Sequence, residues 1–144
     1  MIKFLTSFAV GFLTTFTANA MCSGVNVDLH LGSYHTAKDA GYANNNYGLG
    51  ATCVRNGYSI SAGAYHNSFA RTSGYVTANM ETTGTVRFGG AVGFVFGGYD
   101  EPVKPIAGVS VSTDFLGVTG RVVVGPTIEK RGAVFHFVVS KTIY

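Results

Sequence analysis

Hydrophobic and polar residues alternate one by one along most of this chain, and they do not follow the 3.6-residue period of a helix. The run from Thr85 to Gly97 shows this most clearly. Its apolar face carries Val86, Phe88, Val92, Phe94 and Phe96. Its other face carries Arg87, Gly89, Ala91, Gly93 and Gly97. Such a run predicts a β-strand whose two faces lie in different surroundings.

Turn signals divide the chain into eight runs of this kind. The predicted strands cover residues 25–34, 48–55, 58–68, 71–81, 85–97, 106–112, 116–124 and 133–144. Tight turns at 56–57, 82–84 and 113–115 alternate with connections at 36–47, 69–71, 98–105 and 125–132, of which all but 69–71 are long. Short periplasmic turns and longer external loops are typical of outer-membrane barrels. The pattern therefore predicts an all-β, eight-stranded antiparallel up-and-down transmembrane β-barrel.

The composition agrees with a barrel that faces lipid. Only 12% of the residues are charged, against about 25% in ordinary soluble domains. A soluble secreted β-barrel also alternates, and it stays open as an alternative, but so few charges would cover its outer surface poorly. The net charge of +3 comes from scattered basic residues, which gives no footprint for nucleic acid. The polar side chains expected inside a membrane barrel are Asp28, His30, Arg71, Glu81, Arg87 and Arg121.

The N-terminus carries an export signal. Lys3 precedes an apolar stretch, Phe4–Phe16, and Ala18-Asn19-Ala20 forms a cleavage site. We therefore expect a signal peptide at residues 1–20, a barrel domain at 21–144, and export to the outer membrane of a Gram-negative cell. The two cysteines, Cys22 and Cys53, then reach an oxidising compartment near the same end of neighbouring strands. A disulfide between them is one hypothesis, and two buried free thiols are the other.

The first strand places candidate polar residues on one face. Val25, Val27, Leu29 and Leu31 form its apolar face, and Asn26, Asp28, His30 and Tyr34 form the other. His35 and His66 are expected at the outer ends of the first and third strands, where amphipathic rings commonly lie at the membrane interface. The chain has no CxxC or HExxH motif, so neither a metal nor a cofactor is expected.

Several segments resemble the lipid A palmitoyltransferase family. They are residues 28–34 (DLHLGSY), 44–50 (NNNYGLG), 64–69 (AYHNSF) and 89–97, with Pro102 and Pro105 before the sixth strand. The resemblance implies a small outer-membrane enzyme, a monomer, that transfers an acyl chain from a phospholipid to lipid A. Membrane lipids would then be its partners. The family's amphipathic N-terminal helix has no counterpart here.

The same resemblance implies a catalytic site. The family's histidine falls on His30 and its serine on Ser68, while its aspartate position holds Asn67. His30 would then act as the base, with Ser68 and Asn67 polarising the ester, because asparagine donates hydrogen bonds but cannot accept a proton. The alternative is that His30 is a lumen residue and that Asn67-Ser68 only ends a strand.

The small inward residues of the fifth strand, Gly89, Ala91 and Gly93, would leave room for an acyl chain, or would only relieve crowding by larger residues opposite. The sequence His66-Asn67-Ser68 with Glu81 mimics lipid A deacylases, but Ser68 and Glu81 lie at opposite ends of the fourth strand, about 30 Å apart. A non-enzymatic barrel for surface binding, shielding or phage exclusion also fits the pattern.

Overall fold

The computed structural model describes residues 22–127 and 132–143. The predicted signal peptide, residues 1–20, lies outside them, as does Tyr144. The strands are β1 (Gly24–His35), β2 (Gly48–Arg55), β3 (Tyr58–His66), β4 (Thr72–Glu81), β5 (Val86–Phe96), β6 (Val103–Phe115), β7 (Val118–Pro126) and β8 (Ala133–Thr142). Neighbours pair antiparallel, and β8 pairs with β1 to close the barrel. The predicted fold is confirmed. Within the described ranges, no helix is long and apolar enough to cross a membrane.

The barrel turns its apolar faces outward and its polar faces inward. Leu49, Val92 and Phe88 are 63%, 61% and 60% exposed, whereas Asp28 is 3% exposed. Other polar side chains buried inside are Thr52, Ser61, Ser73, Ser112 and Ser140. A soluble barrel would have the opposite arrangement, because water would cover its outer face. The two faces predicted for the fifth run are confirmed over Val86–Phe96, whereas Gly97, expected on the inward face, lies beyond the strand and is exposed.

The two ends of the barrel differ. The turn end carries the first and last described residues, Cys22 and Ile143, together with the tight turns. The loop end carries the connections at 36–47, 67–71 and 97–102, and also Thr127 and Gly132, which follow β7 and precede β8. At the turn end Cys22 and Cys53 form a disulfide with a Cα–Cα distance of 5.3 Å, which agrees with the first of the two hypotheses and not with two free thiols. Glu81 pairs with Arg121 at 3.0 Å and with Arg87 at 3.6 Å inside the same half of the barrel.

One of the polar residues expected inside the barrel is not there. Arg71 follows the turn between β3 and β4 at the loop end, where its side chain is 62% exposed and lies 4.0 Å from Asp100. Strict alternation with Ser73 and Tyr75, which are both buried, would place Arg71 inside the barrel. The strand begins only at Thr72, so the alternation does not extend to Arg71.

The sixth strand is longer than predicted and its turn lies elsewhere. The strand covers Val103–Phe115 rather than 106–112, and the turn is Leu116-Gly117 rather than 113–115. Pro105 is tolerated within β6 because pairing with β7 starts only at Val109, which leaves an edge on that side. Leu116 and Gly117 have φ values of 50° and 78°, the left-handed pair that two-residue hairpins favour. Leucine is not a turn signal, so the sequence pattern missed this turn.

A β-bulge in β1 reverses the predicted direction of its outer residues. The pairing of β1 with β8 shifts between His30 and Gly32, so that one extra residue is inserted in β1. Beyond the shift Tyr34 is 47% exposed and faces outward, and His35 is 6% exposed and faces inward. The expectations that Tyr34 faces the interior and that His35 lies at the membrane interface are therefore wrong.

Candidate functional site

Three side chains form a hydrogen-bonded chain at the loop end. The Ser68 hydroxyl donates to Nε2 of His35 at 2.7 Å. Nδ1 of His35 donates to Oδ1 of Asn44 at 2.9 Å. Because the Asn44 oxygen only accepts, the ring proton lies on Nδ1, and Nε2 presents a lone pair to Ser68. This is the relation of nucleophile, base and orienting group that acyl-transfer enzymes use, with asparagine in the third place.

Local backbone features bring these three residues together. The bulge at Gly32 turns His35 inward; Gly32 has a φ of 155°, and a Cβ there would lie 2.9 Å from the carbonyl oxygen of Asn44. The 36–47 loop is held against β1 by a bond from Ser33 N to Asn44 O at 2.9 Å. It is held against the β3–β4 turn by a bond from Ala43 N to Ser68 O at 2.8 Å. The site therefore depends on a loop anchored on both sides.

Asn67 fixes the turn that carries Ser68. Its side chain is fully buried. Oδ1 accepts from the backbone N–H groups of Phe69 and Arg71 at 2.9 and 3.0 Å. Nδ2 donates to Ser73 Oγ and to Gly98 O, both at 2.9 Å. Asn67 thus holds the turn by four hydrogen bonds and links it to the start of the next loop.

Asn46 contacts Ser68 from the 36–47 loop. It is also fully buried, and its Nδ2 donates to Ser68 Oγ at 3.3 Å. Aromatic rings cover the same region, with Tyr42 stacked on His35 at 4.6 Å between centroids and Phe69 edge-on to Tyr42 at 5.6 Å. The hydroxyl of Ser68 is therefore enclosed by amide, imidazole and aromatic groups, and the residue itself is half-buried.

A cavity of about 170 Å³ runs from this group into the barrel. His35, Ser68 and Tyr42 line it at the loop end. Its apolar wall is formed by Ile106, Val123, Val134 and Val138. Its deeper wall is polar and includes Asp28, Ser61, Thr77, Asn79 and Arg121. The Ser68 hydroxyl thus faces a partly apolar cavity whose far end carries ionic side chains.

The three residues assigned to an acyl-chain pocket do not behave alike. Ala91 lines the cavity, whereas Gly89 and Gly93 are not among the described residues that line it. A Cβ at Gly89 would lie 2.6 Å from Glu81 Cγ, and one at Gly93 would lie 2.7 Å from Thr77 Cα. Both glycines give space to residues of β4, in line with the crowding alternative.

His30 belongs to a different cluster from Ser68. Its Nε2 shares a hydrogen bond with the Tyr75 hydroxyl at 2.9 Å, and its ring stacks on Tyr65 at 5.7 Å. His136 meets Tyr65 edge-on at 5.8 Å. In the part of the chain that the structure describes, His30 makes no hydrogen bond with Ser68. The structure brings Ser68 and Asn67 together, as neighbours in one turn, but gives Ser68 a different histidine.

The remaining candidates lie away from this group. His66 stacks on Tyr47 at 5.2 Å, and Tyr47 is 60% exposed. Glu81 lies at the turn end with Arg87 and Arg121. Over residues 22–127 and 132–143, no group of three or more histidine, cysteine or carboxylate side chains could hold a metal ion.

Sequence reasoning missed His35, Asn44 and Asn46. The signal that could have found His35 is Gly32, because a glycine within an alternating strand often marks a bulge. Once a bulge is placed there, the parity of Ser33, Tyr34 and His35 reverses. Asn44 and Asn46 gave no local signal, since their positions depend on how the 36–47 loop folds over the barrel.

Comparisons with known proteins support the fold alone. No family model and no curated protein matches the chain. The structure is similar to the N-terminal β-barrel domain of Pseudomonas aeruginosa OprF, with a TM-score of 0.55 and 13% identity over 85% of this chain and 98% of that one. This neighbour is an eight-stranded outer-membrane barrel. The present chain therefore has an outer-membrane type of fold.

Proposed function

We propose that this barrel is an outer-membrane enzyme that acts on acyl esters of membrane lipids. Ser68 is the nucleophile, His35 the general base and Asn44 the residue that orients His35. The proposal rests on two consecutive hydrogen bonds. One joins Ser68 Oγ to His35 Nε2 at 2.7 Å, and the other joins His35 Nδ1 to Asn44 Oδ1 at 2.9 Å. Its position at the mouth of an internal cavity gives it access to a substrate.

The reaction divides into two transfers of the acyl group. Ser68 Oγ attacks the ester carbonyl carbon while its proton passes to Nε2 of His35. The bond to the leaving alcohol then breaks, and His35 returns the proton to that oxygen. An acceptor hydroxyl, whose proton passes to His35, then attacks the carbonyl carbon of the acyl-serine. The bond from that carbon to Oγ breaks, and His35 returns the proton to Oγ, which regenerates Ser68. The acceptor is a lipid A hydroxyl in a transferase and water in a hydrolase.

Lipid is the substrate that fits the surroundings. The outer surface of the barrel is apolar, with Leu49 and Val92 more than 60% exposed, so the lipids of a bilayer lie against it. The apolar wall of Ile106, Val123 and Val138 suits the first part of an acyl chain. The resemblance to lipid A palmitoyltransferase adds phospholipid as the donor and lipid A as the acceptor. Export by residues 1–20, location in the outer membrane and a monomeric state belong to this proposal.

This proposal assigns His30 to the cavity wall. Its partner is Tyr75, and the glycines at positions 50 and 63 make room for that ring, since a Cβ at Gly63 would lie 2.8 Å from Tyr75 Cε1. The hypothesis that His30 is the base remains a prediction that the same experiment tests. Under the present proposal, His30→Phe keeps more activity than any change at His35.

The experiment measures lipid modification by the full chain in outer membranes and by the purified, folded barrel in detergent. Membranes are examined by mass spectrometry of lipid A, and the purified protein is incubated with phospholipid and assayed for released lysophospholipid. Ser68→Ala and His35→Gln should lower turnover by a factor of about 10² to 10⁴. His66→Ala is the matched control, because His66 lies near the same end but stacks outward on Tyr47.

Each outcome distinguishes the candidate functions. Turnover that depends on Ser68 and His35 but not on His66 supports the enzyme. Turnover that depends on His30 and not on His35 overturns the assignment of the base. A folded, heat-modifiable barrel without Ser68-dependent turnover overturns the enzyme and favours the non-enzymatic barrel.

A further inference from the structure

We infer that Asn46 is a catalytic residue of this site and that its side-chain amide donates a hydrogen bond to the oxyanion formed when Ser68 attacks an ester. The inference rests on the proposed function, because it assigns a role in the reaction of Ser68. It extends that function to the residue that stabilises the transition state, which the sequence pattern did not indicate.

The first support is the environment of Asn46. The side chain is fully buried, its Nδ2 reaches Ser68 Oγ at 3.3 Å, and its Oδ1 is buried without a hydrogen-bond partner among residues 22–127 and 132–143. Leaving an amide oxygen buried and unpaired is unfavourable for stability. Asn67 offers the contrast, since both ends of its amide are fully bonded and its role is to hold a turn. Asn46 is therefore poorly explained as a purely structural residue.

The second support is the position of Asn46 relative to His35. Both side chains contact the same oxygen, Ser68 Oγ: His35 accepts its proton and Asn46 donates to its lone pair. When Oγ bonds to the carbonyl carbon, the proton moves to His35, and the electron pair of the C=O bond moves to the carbonyl oxygen. That oxygen is now next to Oγ, and the amide of Asn46 has only to turn towards it. Collapse of the intermediate breaks the bond to the leaving alcohol, which takes the proton from His35.

The third support is that the nearby alternative donors are already used. The backbone N–H after a serine nucleophile is a common oxyanion donor. Here that group, Phe69 N–H, donates to Oδ1 of Asn67 at 2.9 Å. The Asn67 amide donates to Ser73 and Gly98. Among these three donors, only the amide of Asn46 is directed at Ser68 Oγ, which makes it the donor available for the developing charge.

The test compares three variants of the full folded barrel with the wild type, using a phospholipid substrate in detergent. Asn46→Ala should lower kcat by a factor of about 10² to 10³, the usual loss for one oxyanion donor, with KM changed less than about threefold. Asn46→Asp has nearly the same shape but places a carboxylate beside the oxyanion, so its kcat should be no higher than that of Asn46→Ala. Asn45→Ala is the matched control, because Asn45 is exposed on the same loop, and its kcat should equal that of the wild type.

A second measurement separates catalysis from folding. An alkyl trifluoromethyl ketone forms a tetrahedral adduct with a serine and carries the same oxyanion. Its affinity should fall in Asn46→Ala by about the factor seen in kcat, in a barrel that heat-modifiable mobility shows to be folded under the assay conditions.

The possible failures are distinguishable. If Ser68→Ala abolishes turnover but both Asn46 variants keep kcat within threefold of the wild type, the inference is wrong and the proposed function stands. If kcat falls without any change in ketone affinity, Asn46 is a positioning residue and the inference is also wrong. If the wild type shows no Ser68-dependent turnover, the proposed function and the inference both fail.

Discussion

At the scale of single residues, Asn67 shows that a residue that departs from a family's motif can still have a defined structural role. It stands where the resembling family has an aspartate, and its amide nitrogen donates to Ser73 Oγ and Gly98 O. A carboxylate has no hydrogen to donate. In this barrel position 67 therefore requires an amide, because the hydrogen bonds that the amide donates hold the turn that carries Ser68.

The substitution Asn67→Asp should therefore harm the protein. It removes two donated hydrogen bonds and places a negative oxygen against the Gly98 carbonyl, which we expect to cost about 2 kcal/mol of unfolding free energy. Turnover should fall with it, because Ser68 loses its fixed position. Urea unfolding in detergent and the lysophospholipid assay measure the two effects, with Asn45→Asp as a control of equal charge on an exposed residue. Higher turnover in Asn67→Asp would show instead that the position serves acid–base chemistry.

At the scale of elements, one bulge separates what the sequence could predict from what it could not. Strict alternation predicted the two faces of β5, because each residue of this strand pairs with one partner on β4. The same rule failed beyond Gly32, where the extra residue in β1 shifts the register. The site lies just past this shift. Alternation therefore did not place His35 inside the barrel, although the strand β1 itself was predicted correctly.

The bulge can be tested with Gly32→Val. Valine disfavours a φ of 155°, and its Cβ would lie 2.9 Å from Asn44 O, so the local backbone must move and His35 must move with it. Turnover should fall at least about tenfold, and His35 should lose its contact with Ser68. Gly90→Val is the control, because Gly90 is exposed on β5 and a Cβ there meets its nearest atom at 3.8 Å. Unchanged turnover in Gly32→Val would mean that the bulge does not orient the base.

At the scale of the whole molecule, the stabilising cross-links and the proposed site lie at opposite ends of the barrel. The disulfide and the Glu81–Arg121 pair lie in the turn half, and the Ser68 group lies at the loop end. The sequence could offer the disulfide as one of two hypotheses, because Cys22 precedes the first strand and Cys53 lies near the end of the second, at the same end of the barrel. The enclosure of Ser68 could not, because Asn44 and Asn46 reach it only through contacts between the 36–47 loop and residues distant in sequence.

Replacing both Cys22 and Cys53 by serine should lower the unfolding free energy by about 3 to 4 kcal/mol, since the bond closes a loop with a sequence separation of 31. The barrel that still folds should keep the turnover of the wild type, because the bond lies at the opposite end from Ser68. Urea unfolding followed by heat-modifiable mobility measures the first effect, and wild-type protein treated with reductant should match the variant. Equal urea midpoints with and without the bond would contradict this assignment.

The bulge also gives β1 a spare residue. Over the described residues, no other strand pairing shows a register shift, so each of the other strands has just the length that its ladder needs. Loss of one codon between His30 and Ser33 could be absorbed by straightening the wall, with Ser33 and His35 still pointing to the lumen. The same loss in β3 or β4 would turn part of the strand inside out. Among single-residue deletions within the strands, those between His30 and Ser33 should therefore be tolerated best.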